Sequence, residues 1–284
     1  MNELRKIWRC AASEYLQWLT DSRMILLTTL LLFDYLLAVE PLITRAKEMQ
    51  EPISWLEPFL AVAGSGTVLL ILPITFFILI SDYPRNHGNA IFYICRIGRQ
   101  RWMLAQLLAL FLMILTYLLI VAFGAILPAL PYCRFDFQWS KVVTDYAIHF
   151  PEQAASYELL PENLYYQLKD TAVGLFYTYT LLVCYLFLLG TLQICGTVLG
   201  HRKVANIMAG FLIAGGAAIA TIHSRWMWLF PMAHSITWLH FTKYLRKPVM
   251  PMWGSYLYLA GGSIILCIIA LTKVRLFSFD MQED

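Results

Sequence analysis

The chain has 284 residues, of which 60% are hydrophobic and only 14% are charged, and its net charge is +3. Soluble globular domains carry about 25% charged residues, and the mean hydropathy of this chain is +0.62. The charges cluster and leave long apolar runs between them. This composition argues against one or two soluble domains and predicts an integral membrane protein.

The first predicted element is an amphipathic helix within residues 1–20. Apolar side chains recur at helical spacing on one face, and polar side chains occupy the other. The apolar face holds Leu4, Ile7, Trp8, Ala11, Ala12, Tyr15, Leu16 and Leu19, and the polar face holds Arg5, Lys6, Arg9, Ser13, Glu14 and Gln17. Such a helix is expected to lie in the membrane interface, with its basic residues toward the lipid headgroups. The alternative is a cytoplasmic helix that packs on the bundle.

Six predicted membrane-spanning helices follow, since a span of ~30 Å needs about 20 apolar residues. Five runs contain no charged residue: Phe59–Ile80, Met103–Leu130, Thr171–Leu199, Val204–Ile222 and Gly254–Thr272. A sixth run, Met24–Val39, contains one charge, and with its flanks it covers about residues 21–42. The predicted fold is therefore an all-α polytopic membrane protein, with residues 1–284 in a single transmembrane domain.

The charge within the first predicted span is Asp34. A charged residue near the middle of a span costs about 2.5 to 3.5 kcal/mol on insertion scales, so such residues face protein or water rather than lipid. Asp34 is expected to face the bundle interior, a water-filled translocation path or a dimer interface. The alternative is that the first span is drawn too far and Asp34 lies at its wet outer end.

The distribution of basic residues predicts the orientation. With six spans both termini share a side, and the segments on that side carry twelve of the 21 basic residues. Because basic residues are enriched on the cytoplasmic side, both termini are expected in the cytoplasm of a cell bounded by this membrane, in the manner of a bacterial plasma-membrane protein. In this topology Cys95 faces the cytoplasm and Cys133 faces outward.

The motifs of membrane enzymes and of nucleotide-binding proteins do not occur. None of the six histidines is followed by glutamate, which excludes His-Glu-x-x-His, and none of the eight lysines follows a glycine, which excludes the phosphate-binding loop. Gly64-Ser65-Gly66 resembles a serine-protease turn only superficially, and we interpret it as a small-residue contact between helices. No catalytic activity, metal, cofactor or nucleic-acid partner is expected in this chain.

The predicted outer segment from Arg225 to Trp253 is rich in aromatic residues, which prefer the level of the lipid headgroups. It is expected to dip into the outer leaflet. His234 and His240 are interpreted as members of this aromatic belt rather than as ligands.

The predicted inner loop from Ser81 to Trp102 is the longest inner connection. After Asp82, a Pro and a Gly interrupt the preceding helix, and a short amphipathic stretch follows that ends in Arg96-Ile97-Gly98-Arg99-Gln100-Arg101-Trp102. This loop, the third span that opens Leu104-Ala105-Gln106-Leu107-Leu108, and the amphipathic N-terminal helix resemble the permease subunits of type 2 ATP-binding-cassette exporters. The 40-residue outer loop from Pro131 to Asp170 is a departure from that resemblance.

The resemblance implies an ATP-driven exporter in which this chain forms the translocation path. The implied partners are separate cytoplasmic ATPase subunits, a second permease that is either a copy or a different chain, and membrane lipids. The helix around Ile91 to Arg101 would dock into the ATPase, with Ile91, Phe92 and Ile94 in a cleft and Arg96, Arg99 and Arg101 paired with acidic groups at its rim or with lipid phosphates. The alternative function is a membrane sensor or accessory protein that binds a partner without transporting a substrate.

Overall fold

The computed structural model describes residues 3–85, 88–152, 160–222, 224–242 and 248–276. Five helical stretches are long and apolar enough to cross a membrane: Ser22–Met49, Arg99–Tyr132, Thr171–Val198, Arg202–Thr221 and Met252–Lys273. The strands found in the described part of the chain are β1 (Ile53–Ser54) and β2 (Cys133–Arg134), which pair in parallel. The prediction of a predominantly helical protein with several membrane-length apolar helices is confirmed.

The helices of the N-terminal half are α1 (Glu3–Leu19), α2 (Ile25–Asp34), α3 (Glu40–Met49), α4 (Glu57–Gly64), α5 (Gly66–Leu79), α6 (Gly88–Ile97) and α7 (Arg99–Ala129). Those of the C-terminal half are α8 (Lys141–Thr144), α9 (Tyr146–His149), α10 (Glu162–Gln167), α11 (Thr171–Val198), α12 (Arg202–Thr221), α13 (Pro231–Ser235) and α14 (Met252–Lys273).

The predicted N-terminal helix is present as α1, and it packs along α7. Apolar side chains such as Leu4, Trp8 and Leu16 remain exposed, as a membrane-facing surface requires. Glu14 lies on the predicted polar face but is buried, and its carboxylate accepts a hydrogen bond of 3.2 Å from the side-chain amide of Gln106 on α7. One side of α1 is therefore buried against α7, and another side presents exposed apolar residues.

The first long helix is continuous but irregular. A 3-10 turn (Ser22–Met24) leads into α2, a π turn (Tyr35–Val39) follows, and α3 continues to Met49, beyond the predicted end near residue 42. The π turn precedes Pro41, whose ring in a regular helix would clash with the carbonyl four residues earlier. A wider turn at this point keeps the helix intact.

The predicted second span is not a single helix. Phe59–Ile80 is interrupted at Ser65, which is extended, and the axes of Glu57–Gly64 and Leu69–Leu79 differ by 86°. Gly64 packs against the outer loop at Leu160 and Pro161, whereas a methyl group added at Gly66 would meet no atom of the described residues within 4 Å. The interpretation of these glycines as a contact between helices is therefore wrong. They flank a break, because glycine loses more conformational freedom in a helix than other residues.

The core is organised around α11, which packs against α14, α12 and α7. Gly190 on α11 lies directly against Leu110 of α7, where an added methyl group would come within 2.6 Å of the leucine side chain. A small residue lets the two helices approach closely, which is how helices associate where lipid rather than water surrounds them.

Candidate functional site

The helix in the inner connection, α6, is shorter than predicted. It ends at Ile97, and Gly98 has a φ of +85°, a conformation that favours glycine. The backbone N–H of Gly98 donates to the carbonyl of Ile94 at 2.8 Å, and that of Trp102 donates to the carbonyl of Gly98 at 3.0 Å. Arg99 and Arg101 were predicted on the docking helix, but they lie in the first turn of α7.

The predicted docking residues divide into two groups. Phe92 is 74% exposed, Ile94 is half-buried and Arg96 is exposed, whereas Ile91 lies in α6 but its side chain is outside what the structure describes. Arg99 donates to the backbone carbonyl of Arg275 at 2.5 Å, and Arg101 pairs with Glu3 at 2.8 Å. Phe92 and Ile94 in α6 offer an apolar surface. Arg99 and Arg101 instead hold the start of α7 to residues near both ends of the described chain.

The start of the inner connection is fixed to other long helices. The carbonyl of Ser81 accepts hydrogen bonds from the amide of Gln193 on α11 at 2.6 Å and from the guanidinium of Arg202 on α12 at 3.1 Å. Arg23, at the start of the first long helix, donates to Asp82 at 2.5 Å. These contacts hold the end of α5 to three other long helices.

A second ion pair strengthens this junction. The guanidinium of Arg85 pairs with Asp21 and lies 3.6 Å from Asp82. Burial raises the pKa of Asp21, but the hydrogen bond from the Arg23 backbone and the positive charges of Arg85 and Arg23 outweigh burial, so the pKa lies below its ordinary value. Asp21 is therefore ionised at neutral pH and holds Arg85 in place.

Asp34 lies inside the bundle at the end of α2, directly before the π turn. Its side chain is 1% exposed, so within this chain it faces the bundle interior. Among the described residues, neither carboxylate oxygen has a hydrogen-bond partner. The nearby hydroxyl of Tyr117 does not serve it, since that hydroxyl donates to the carbonyl of Leu72 at 2.7 Å.

Glu57, at the start of α4, is a second buried carboxylate and was not predicted as important. One oxygen accepts from the backbone N–H of Ser140 at 2.7 Å, and the other accepts from the Ser140 hydroxyl at 2.7 Å and from the backbone N–H of Ser54 at 3.0 Å. The side chain is completely buried. Together with the β1–β2 pair, Glu57 fixes the outer loop 131–140 to the preceding outer connection.

The outer segment before α14 contains a 3-10 turn (Arg225–Leu229), α13 and a second 3-10 turn (Thr237–His240), and it packs against α11, α12 and α14. Trp226 is 73% exposed, in accord with an aromatic surface, but the two histidines are buried. The imidazoles of His234 and His240 lie 2.8 and 2.7 Å from the hydroxyl oxygen of Ser255 on α14. The interpretation of these histidines as interfacial belt residues is wrong.

The described residues contain no group of three or more His, Cys, Asp and Glu side chains that could hold a metal ion. The basic residues Lys243, Arg246 and Lys247 of the outer segment lie outside the described residues. Comparisons with family models, with curated proteins and with solved structures find no match to this chain.

Proposed function

We propose that this chain is the membrane-spanning subunit of an ATP-driven exporter, in which it forms the translocation path with a second permease half. In this proposal α4 and α5 together are one broken span, so the chain crosses the membrane six times and both termini are cytoplasmic. ATP hydrolysis takes place in separate cytoplasmic ATPase subunits, and the complex lies in the cell membrane.

The observation that best supports the proposal is the way in which both ends of α6 are attached to the long helices. An exposed apolar side chain, Phe92, lies on a short helix between two firmly held points. The preceding junction at Ser81 is bonded to α11 and α12, and the following turn at Gly98 leads directly into α7. A displacement of α6 by a partner would therefore reach several long helices, which is the mechanical requirement for coupling ATPase closure to a translocation path.

Asp34 is proposed to lie beside the translocation path. A buried carboxylate without a hydrogen-bond donor is costly, and ionisable residues inside a membrane bundle typically mark a path for substrate or ions. The π turn that follows Asp34 supports this assignment, since such turns are frequent at functional sites.

The coupling proposal is tested by Phe92→Ala and by the double change of Ile91 and Phe92 to alanine. Interface energy concentrates in a few buried anchors, so we expect each variant to lose most of the ATPase that co-purifies with the wild type in detergent. Phe123→Ala is a matched control, because Phe123 is 59% exposed but lies within α7. Intact ATPase association in the folded double variant would remove the coupling role of α6.

A membrane sensor or accessory protein is the second candidate, because an exposed apolar helix also suits a partner that hydrolyses no ATP. The identity of the protein that co-purifies with the wild type and is lost in Phe92→Ala separates the two functions. An ATPase supports the exporter, and a partner without nucleotide-binding activity supports the sensor.

The proposed orientation is tested by thiol labelling of single-cysteine variants. Cys95 is exposed on α6, so an impermeant reagent is expected to label it in broken cells but not in intact ones. Cys133 is a poorer reporter, because burial and the nearby charge of Glu57 raise its pKa to about 11 and leave little reactive thiolate at neutral pH. Labelling of Cys95 in intact cells would invert the topology.

A further inference from the structure

The hydrogens available to His234, His240 and Ser255 can be counted. The second nitrogen of each ring faces a backbone carbonyl: Nε2 of His234 lies 2.9 Å from the carbonyl of Trp228, and Nδ1 of His240 lies 3.0 Å from that of Ile236. Because a carbonyl only accepts, both of these nitrogens carry a hydrogen. In a neutral imidazole the remaining nitrogen is then an acceptor.

Both remaining nitrogens face the same hydroxyl. Nδ1 of His234 and Nε2 of His240 each require a hydrogen from Ser255, whose hydroxyl has one to give. The neutral cluster therefore has three hydrogens for four contacts, whichever tautomer each ring adopts. Two acceptor atoms face each other at one contact without a hydrogen between them, in a site where none of the three side chains is more than 1% exposed.

We propose that these three residues, the His–Ser–His cluster, are a binding site for a single proton. One added proton completes the set: the protonated imidazole donates to the hydroxyl oxygen of Ser255, and the hydroxyl donates to the other imidazole. A second proton would direct two N–H groups at one hydroxyl and place two positive charges side by side. The site takes one proton and rejects a second, and this inference does not depend on the exporter proposal.

Within the part of the chain that the structure describes, no further charged group acts on the cluster. The rings that face it are those of Trp228, 5.3 and 5.2 Å from the two imidazoles, and Tyr258, which stacks on His234 at 4.2 Å. From α11, the neutral Thr178 bonds to Thr237. Among the described residues, His234 is the titratable group whose charge lowers the pKa of His240. No charged group among them changes the pKa of His234.

Burial opposes proton uptake. It lowers the pKa of both histidines, that of His240 to about 4, while the hydrogen bonds to the backbone carbonyls raise them. The bond that an imidazolium forms with Ser255 opposes the effect of burial. We therefore expect uptake of the proton between pH 4 and the ordinary histidine value of about 6.5.

The test is titration of the purified full-length protein with 15N-labelled histidine, followed by the nitrogen signals that distinguish neutral from protonated imidazole. In the wild type we expect one proton shared by the two rings, so that their signals shift together between pH 4 and 6.5. In His234→Phe and in His240→Phe the hydroxyl of Ser255 can satisfy the one remaining ring without an added proton. Each single variant should therefore lose the whole titration, whereas two independent histidines would leave about half.

Two further variants keep the proposal testable if the histidine variants fold poorly. Ser255→Thr retains the hydroxyl and should retain the joint titration, and Ser255→Ala should abolish it. His201→Gln is the control, because His201 is exposed and remote in sequence from the cluster. Independent titration of the two rings, or a joint titration that persists in Ser255→Ala, would overturn the proposal. So would the absence of any shared histidine titration above pH 4.

Discussion

Asp34 and Glu57 are both acidic side chains buried in the same protein, yet their surroundings are opposite. Glu57 is 0% exposed and its two oxygens accept three hydrogen bonds, two of them from backbone N–H groups. Asp34 is 1% exposed and accepts none among the described residues. A buried carboxylate that is fully bonded holds structure together, and one that is unbonded costs stability and needs a different reason to be present. Glu57 is therefore an anchor of the outer loop, whereas Asp34 is the carboxylate that we propose to lie beside the translocation path.

The largest effect is expected for Glu57→Gln, which keeps the shape of the side chain but turns an acceptor into a donor. Its amide group would face donors at Ser140, and a buried donor left without an acceptor costs about 1 to 3 kcal/mol. We expect the free energy of unfolding to fall by about 2 to 3 kcal/mol, measured by unfolding in detergent. Unchanged stability would mean that Glu57 is not the anchor of the outer loop.

A smaller loss is expected for Ser140→Ala, which removes one of the three hydrogen bonds and keeps the backbone N–H of residue 140. One hydrogen bond to the buried carboxyl group of Glu57 is lost, so the free energy of unfolding should fall by about 1 to 1.5 kcal/mol. The same unfolding measurement applies, and a loss equal to that of Glu57→Gln would place the anchor at the hydroxyl alone.

Lys141→Ala should change stability by less than about 1 kcal/mol. Lys141, in the outer loop, forms an ion pair of 2.9 Å with Glu51 of the preceding outer connection, but both side chains are exposed. Exposed ion pairs contribute little, because water screens them and two side chains must be ordered. A larger loss would show that the loop is held from its surface, and the contrast with Glu57 would fail.

Asp34→Asn should not lower the free energy of unfolding, since no hydrogen bond among the described residues is lost and an unbonded buried carboxylate is itself costly. In the exporter proposal the same change reduces transport at normal membrane abundance. Membrane abundance and unfolding in detergent provide the structural readouts, and transport or the ATP hydrolysis of the assembled complex provides the functional one. Normal transport in Asp34→Asn would remove Asp34 from the proposed path.

The long helices were predictable because length and apolarity decide them. Thr171–Val198 ends one residue before the predicted boundary, and Arg202–Thr221 and Met252–Lys273 agree with their predictions within two residues. The break at Ser65 was not predictable, since two glycines beside a serine occur both at close contacts between helices and at helix ends. Packing of Gly64 against Leu160, almost a hundred residues later, decides between them.

The candidate sites were predictable only where a residue or a short segment differs from the pattern of the sequence around it. Asp34 is a charge in an apolar run, and α6 is amphipathic over ten residues, so the sequence marks both as candidates. Glu57 borders an apolar run like many interfacial acids, and its partner Ser140 is distant in the sequence. His234 and His240 lie among aromatic residues, which indicated an interface, and the serine that joins them belongs to the following helix.

The pairing of Glu57 with Ser140 also constrains the order of events during synthesis. The two residues are 83 positions apart, so at translation rates of about 5 to 20 residues per second the acceptor precedes its main donors by roughly 4 to 17 s. During that interval the carboxylate keeps only the local donor of Ser54, and water must supply the rest. Burial of the start of α4 is therefore completed only after α7 and the beginning of the outer loop have emerged from the ribosome.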